Sequence, residues 1–299
     1  MTTETTELDV RAALPADGTS ELPGPPPEIW FRRRHSLVGA LRELRSYDEL
    51  MLSLAERDLR TRYKQAGLGI AWAVLTPLLL MLAFTFVFTK FTRVDTHGAP
   101  YPLFSYLGLL PWTFFSEALS LGSTALTNNV PLLNKVYCPR EVFPLSQIVI
   151  AAFDAMIATL LLIPLFPLLG YAPKAEVYYV PLLLLILTTL VIGVTLAVSI
   201  TLVYMRDLRF AVPLVLQFGI FVTPVAYNAE VVARTPARMI IYSALNPLVP
   251  VIDGLRRCCL YGEPPRWWPL LAGACTSVVL MVAGFMIFKR LETGIADVA

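Results

Sequence analysis

Six stretches of this chain, roughly 68–89, 103–126, 143–169, 177–205, 210–227 and 267–288, are apolar over lengths that only lipid would solvate. A hydrocarbon core about 30 Å thick takes about 20 helical residues to cross. In lipid every backbone N–H and C=O must be satisfied within the protein, so runs of this kind fold as helices. The expected fold class is therefore an all-α polytopic membrane protein with six transmembrane helices. Composition agrees, since 56% of the 299 residues are hydrophobic and 15% charged, whereas soluble domains carry about 25% charged residues. Pro77, Pro111, Pro164, Pro167 and Pro213 fall inside or near the ends of the runs, where neighbouring helices can satisfy the carbonyls a proline frees. Trp72, Trp112, Trp267, Trp268, Tyr101 and Tyr178 lie near or within the run ends, the level at which such rings meet headgroups.

Lysine and arginine set the orientation. With a cytoplasmic N-terminus, sixteen fall inside and eight outside, which puts both termini in the cytoplasm. Counting 239–255 as a seventh span would give seventeen against seven, so charge does not exclude it. Its Asn246, Pro247, Pro250 and Asp253 do argue against a lipid-facing helix. The expectation for 229–266 is two short helices broken near Asn246 and Pro247, lying in the outer leaflet or dipping back into it.

Ahead of the first span come two further segments. Residues 1–28 hold six acids, one arginine and five prolines, too little apolar surface to offset the entropy of ordering, and are expected to form a disordered tail. Residues 29–66 are basic and amphipathic. Arg32, Arg33, Arg34, Arg42 and Arg45 alternate with Trp30, Phe31 and aliphatic residues, a pattern that suits anionic headgroups better than nucleic acid in this position. The net charge of +2 gives no support to nucleic acid either. Ser46 and Glu49 have capping-box spacing, and Tyr47, Met51, Ala55, Leu59 and Tyr63 then recur every four residues. Arg57, Arg60 and Lys64 share another face. A helix of that kind fits the membrane interface, with Gly67 and Gly69 as the bend into the first span. The six-span body is expected to occupy 67–299.

Several chemistries are excluded. None of the five lysines follows a glycine as a Walker A motif requires, so the chain is expected not to be an enzyme and to bind no ATP or Mg of its own. His35 and His97 fall on opposite sides of the membrane in the expected topology, and Cys138, Cys258, Cys259 and Cys275 have neither zinc nor disulfide spacing. No metal or cofactor site is expected. Glu117 and Asp154 lie within spans, where a lone charge costs about 2.5 to 3.5 kcal/mol, and no basic partner stands in those spans. A helix-packing hydrogen bond or a water-lined wall is favoured for them over a proton relay. Asn128, Asn129, Gln147 and Gln217 are expected to join helices.

The polar connection NNVPLLNKVYCPREVFP at 128–144 is too long for a simple turn and lies inside. Lys135, Arg140 and Glu141 surround Val136 and Tyr137, with Pro139 and Pro144 as stiffeners. It reads either as a capped loop or as a knob that a soluble partner can push.

With RDLRTRYKQAGLGIAWAVLTPLL at 57–79, YPLFSYLGLLPWTFFSEAL at 101–119 and NKVYCPREVFPLS at 134–146, the chain resembles the membrane subunit of an ABC exporter of the O-antigen, capsule and teichoic-acid class. YMRDLRF at 204–210, TPVAYN at 223–228, LNPLVPVIDGLR at 245–256 and the ending FKRLETGIADVA complete the resemblance in family order, from about residue 47 onward. It implies six spans per chain, a channel formed by two copies, two separate ATPase subunits that hold ATP and Mg, and a lipid-linked polysaccharide as substrate. It assigns Asn134, Lys135, Val136, Tyr137, Pro139, Arg140 and Glu141, together with Arg57, Arg60 and Lys64, to coupling with the ATPase. Thr223, Pro224, Tyr227, Asn246 and Pro247 fall at the outer gate, and Phe84, Phe88, Phe115, Phe218 and Phe221 are candidates to line the path, because aromatic faces stack on the C–H surfaces of sugars. The implied location is the cytoplasmic membrane. An exporter of drugs or other small amphiphiles is the alternative. A membrane enzyme would need converging acid, base or metal ligands, and a plain scaffold would leave the 128–144 connection without a use.

Overall fold

The computed structural model describes residues 47–64, 67, 69–90, 94–130, 138–292 and 294. Among these there is no strand. Four helices are long and apolar enough to cross a membrane, and the chain is a polytopic all-helical membrane protein. Helix α1 (Asp48–Lys64) opens the described chain, with Asp48 and Glu49 in its first turn and Arg62 and Lys64 in its last, the placement that complements the helix dipole. Of the expected capping box, Ser46 lies outside the described residues. The chain then turns through Gly69 at φ 50, a left-handed conformation natural to glycine, and enters α2 (Ala71–Lys90).

Helix α3 (Tyr101–Ser123) is the axis of the molecule. Every residue from Leu103 to Trp112 is buried, so this helix is surrounded by protein. Tyr101 and Tyr106 have their hydroxyls tied to the carbonyls of Ala226 (2.8 Å) and Ala158 (2.7 Å). After a single turn, α4 (Ala125–Asn128), come α5 (Val142–Leu160) and α6 (Leu162–Leu168). The break between α5 and α6 falls where Pro164 has no N–H to donate to the carbonyl of residue 160. Helix α7 (Val180–Tyr204) follows a 3-10 turn at Ala175–Tyr179 and makes its most extensive contact with the last helix, α11 (Trp267–Glu292).

Between them, α8 (Leu208–Val222) is only 15 residues long, about 22 Å at 1.5 Å per residue. The expected fifth span over 210–227 is thus a shorter helix ending in a buried turn. Its residues 223–227 are as apolar as helix, but Val225 N donates to Thr223 O at 2.7 Å and closes the chain back on itself. Helices α9 (Pro236–Leu245) and α10 (Leu248–Arg256) are separated at Asn246 and Pro247, as the sequence predicts. Arg257–Tyr261 is a π-helical turn ended by Gly262 at φ 69.

Candidate functional site

Two polar clusters occupy opposite ends of α3. At the end near Ser123, Arg62 of α1 reaches between two helices. One guanidinium nitrogen lies 2.6 Å from Glu117 of α3, and another donates to Asp154 of α5 at 2.9 Å. The hydroxyl of Tyr63 donates to the second oxygen of Asp154 at 2.6 Å. The Asp154 side chain is almost fully buried, so its charge is held by these two donors. Burial works against the Arg62 charge, but Glu117 and Asp154 outweigh it and keep the guanidinium above its ordinary pKa. Burial also raises the pKa of the Tyr63 phenol, and its bond to Asp154 adds to the rise. One turn earlier, Gln147 donates to Asp58 at 2.8 Å, the helix-joining role expected for it. The cluster opens on a cavity of about 600 Å³ walled by α1, α2, α3, α5 and α8, with Trp72 and Trp112 among its faces.

The described coupling candidates lie beside this cluster or at the end of the 128–144 connection. Arg57 bonds Asp58 at 2.8 Å and Asn129 at 3.3 Å, and Arg60 pairs with Glu56. All three of Arg57, Arg60 and Lys64 are exposed. Asn134, Lys135, Val136 and Tyr137 lie outside the described residues. Pro139 leads into α5, Arg140 donates to the carbonyl of Glu292, and the buried Glu141 pairs with Lys289. The described end of the connection, at Arg140 and Glu141, is therefore clamped to the end of α11. Burial pushes the Glu141 carboxyl above its usual range, Glu292 pushes it further, and Lys289 pulls it back.

At the other end of α3 the expected gate residues come together. Asn246 donates to Thr223 at 2.9 Å and caps Leu248 N at 3.2 Å. Pro224 is buried in the turn, and Pro247 is buried at the start of α10. The Tyr227 hydroxyl donates to the carbonyl of Phe221 at 3.0 Å and lies 3.3 Å from the Tyr242 hydroxyl. The centre of this cluster is Arg256, which sequence reasoning counted only as an outer charge. It is 3% exposed. Its guanidinium donates to the carbonyls of Phe104 (3.0 Å), Pro224 (2.8 Å), Tyr227 (3.0 Å) and Val225, and stacks 3.6 Å from the centroid of the Phe104 ring. Among the described residues no carboxylate is within ion-pair distance of it. The planar fork of five donors makes this possible, because arginine can satisfy several carbonyls at once and lie on an aromatic face. Gly108 allows the approach: a Cβ there would stand 2.5 Å from the guanidinium and 2.6 Å from the Val225 carbonyl oxygen. The available signal was an arginine flanked by apolar residues on both sides, 248–252 and 258–260.

Of the five aromatic candidates, two are exposed and three are half-buried. Phe218 and Phe221 are exposed on α8. Phe84 and Phe88 meet edge to face at 6.1 Å, and Phe88 stacks on Tyr101 at 6.0 Å, while Phe115 packs near Trp112 at 6.1 Å.

An all-helical membrane protein in which an arginine of α1 clasps α3 and α5, and a broken pair of short helices closes on the same α3, is built as a membrane permease. Residues 49–260 match the ABC-2 type transporter family, and the chain belongs to it. It is 32% identical over 261 residues to an O-antigen export system permease protein RfbA of Myxococcus xanthus, covering 87% of this chain and 99% of that one. A protein of the same name from Klebsiella pneumoniae is 26% identical, covering 84% and 95%. The polysialic acid transport protein KpsM of Escherichia coli is 23% identical, covering 79% and 91%.

Proposed function

We propose that this chain is the channel-forming permease subunit of an ATP-driven exporter that moves a lipid-linked polysaccharide across the cytoplasmic membrane. Two copies work with two ATPase subunits that hold ATP and Mg. The spans are α2, α3, α5 with α6, α7, α8 and α11, with both termini in the cytoplasm and α9 and α10 at the outer face. The similarity to proteins named for O-antigen and polysialic acid transport supports the substrate class. Phe218 and Phe221, exposed on α8, are offered to the path or to the second copy, while Phe84, Phe88 and Phe115 set the shape of the wall behind them.

One observation carries the mechanism: α3 holds both clusters. Glu117 and Phe104 are 13 residues apart on one buried helix, about 20 Å. An ATPase pushing on 134–141 and on the Arg57, Arg60 and Lys64 face displaces α1. Arg62 delivers that displacement to Glu117 and Asp154. At its far end α3 bears on Arg256, and through Arg256 on the turn at Thr223–Tyr227. A rigid element with contacts at both ends transmits a small shift as a rearrangement of packed helices.

The test is complementation of cells lacking the chain. These cells are expected to lose surface polysaccharide and to accumulate the lipid-linked polymer inside. Wild type restores export, whereas Arg62→Gln inserts to the same level and restores about a tenth or less, a loss of more than about 1.4 kcal/mol of coupling. Normal surface polysaccharide in the deletion, with new drug sensitivity, overturns the substrate class. Full export by Arg62→Gln overturns the coupling route.

A further inference from the structure

Five of the eight cations placed on the outer side, Arg234, Arg238, Arg256, Arg257 and Arg266, crowd into one segment. That density runs against the usual poverty of outer loops in lysine and arginine. Three have internal partners. Arg256 is held by carbonyls, Arg257 pairs with Glu263 and donates to the Pro264 carbonyl at 3.0 Å, and Arg266 pairs with Glu230 and lies 3.8 Å from Asp253. The side chains of Arg234 and Arg238 have no partner among the described residues.

Arg234 borders a cleft of about 650 Å³ between α9 and the start of α11, walled by Met239, Ile240, Trp267 and Trp268. Trp268 is 74% exposed and Trp267 47%, and Trp267 is steadied by an edge contact with Tyr179 at 5.6 Å. Thr235 and Pro236, where α9 begins, lie on the same rim, so the positive end of that helix adds to the field of Arg234. Along α11 the exposed Leu271, Val278 and Val279 continue the apolar surface away from the two indoles.

We propose that this cleft binds an anionic phospholipid of the outer leaflet, with its phosphate at Arg234, its acyl chains along Trp267, Trp268 and the exposed side of α11, and Arg238, outside the lining on the first turn of α9, adding to the field at the headgroup. Cations, then indoles, then an aliphatic wall is the order in which an amphiphile presents phosphate, glycerol backbone and tails. A soluble phosphate would use the arginines and leave the apolar wall uncovered. A zwitterionic headgroup would bring its own cation up to them. The proposal goes beyond the export function and rests on that reading only for the outward placement of α9.

The test uses the full chain in detergent, titrated with phosphatidylglycerol carrying brominated acyl chains, with tryptophan fluorescence as the readout. Saturable quenching is expected, and it is lost in W267F/W268F. Arg234→Lys keeps it, and R234Q/R238Q weakens the apparent affinity about tenfold or more. Equal quenching by brominated phosphatidylcholine, or a wild-type titration for R234Q/R238Q, overturns the proposal. Reversal by glycerol phosphate at the concentration of the lipid would show a headgroup site without need of tails and overturns it too. Export plays no part in this measurement, so its outcome and that of the complementation test are separate.

Discussion

Arg256 brings a positive charge into a shell made of carbonyls, and its worth follows from what a smaller cation would leave undone. Lysine offers three donors on a narrow stem. In Arg256→Lys at least one of the four carbonyls loses its partner, and the stacking on Phe104 is reduced. A buried acceptor left without a donor costs about 1–3 kcal/mol, so the thermal midpoint of the purified chain should fall by roughly 2–10 °C. Arg256→Met should fall further, and a wild-type melting curve for the lysine variant would refute the role. Residue-scale features were unevenly legible. Gln147 was readable because a lone amide in an apolar run has few uses other than a helix contact. Asp154 and Glu117 were not paired in advance, because their partner Arg62 comes from outside the spans. Arg256 counts in the sequence only as one of the eight outer cations, because its acceptors are backbone carbonyls, which the sequence does not distinguish.

Helix-scale contacts depend on how closely backbones approach. At the crossing of α7 and α11, a Cβ on Gly284 would stand 2.1 Å from the Gly193 carbonyl oxygen, and one on Gly193 would stand 2.5 Å from the Met281 backbone. Without an aqueous driving force between them, spans associate through this kind of close fit. Gly284→Ala is expected to force the pair apart and to cost about 1–3 kcal/mol, read as a lower thermal midpoint in detergent. Val279→Ala, at an exposed position of the same helix, should change little, and equal effects of the two would sink the explanation. Hydropathy located the long helices to within a few residues, since lipid imposes length. It overran the end of α8, where the turn at 223–227 has side chains as apolar as those of the helix before it. An isolated glycine in an apolar run likewise gives no sign of which backbone it meets.

For the whole molecule, the placement of both termini on one side and of α9 on the other is a statement about labelling. In a background without the native Cys138, Cys258, Cys259 and Cys275, R234C should react with an impermeant maleimide on intact cells. A299C should react only after lysis. Labelling of A299C from outside would remove the six-span arrangement. The all-helical polytopic architecture was the most legible level, because apolar length is summed over many residues. The interlocking of the clusters was not, because it depends on which side chains meet. The clasp at Arg62 also has a consequence for how the chain is made. Synthesis runs from the N-terminus, so Arg62 has left the ribosome before Glu117 and Asp154 follow, and each acid finds its base already made. The turn at Thr223–Tyr227 is in the opposite position. The carbonyls of Pro224, Val225 and Tyr227 lack their guanidinium donor until residue 256 has been added, so a nascent chain stopped before that point has its internal acids neutralised while the closure at the far end of α3 is still unmade.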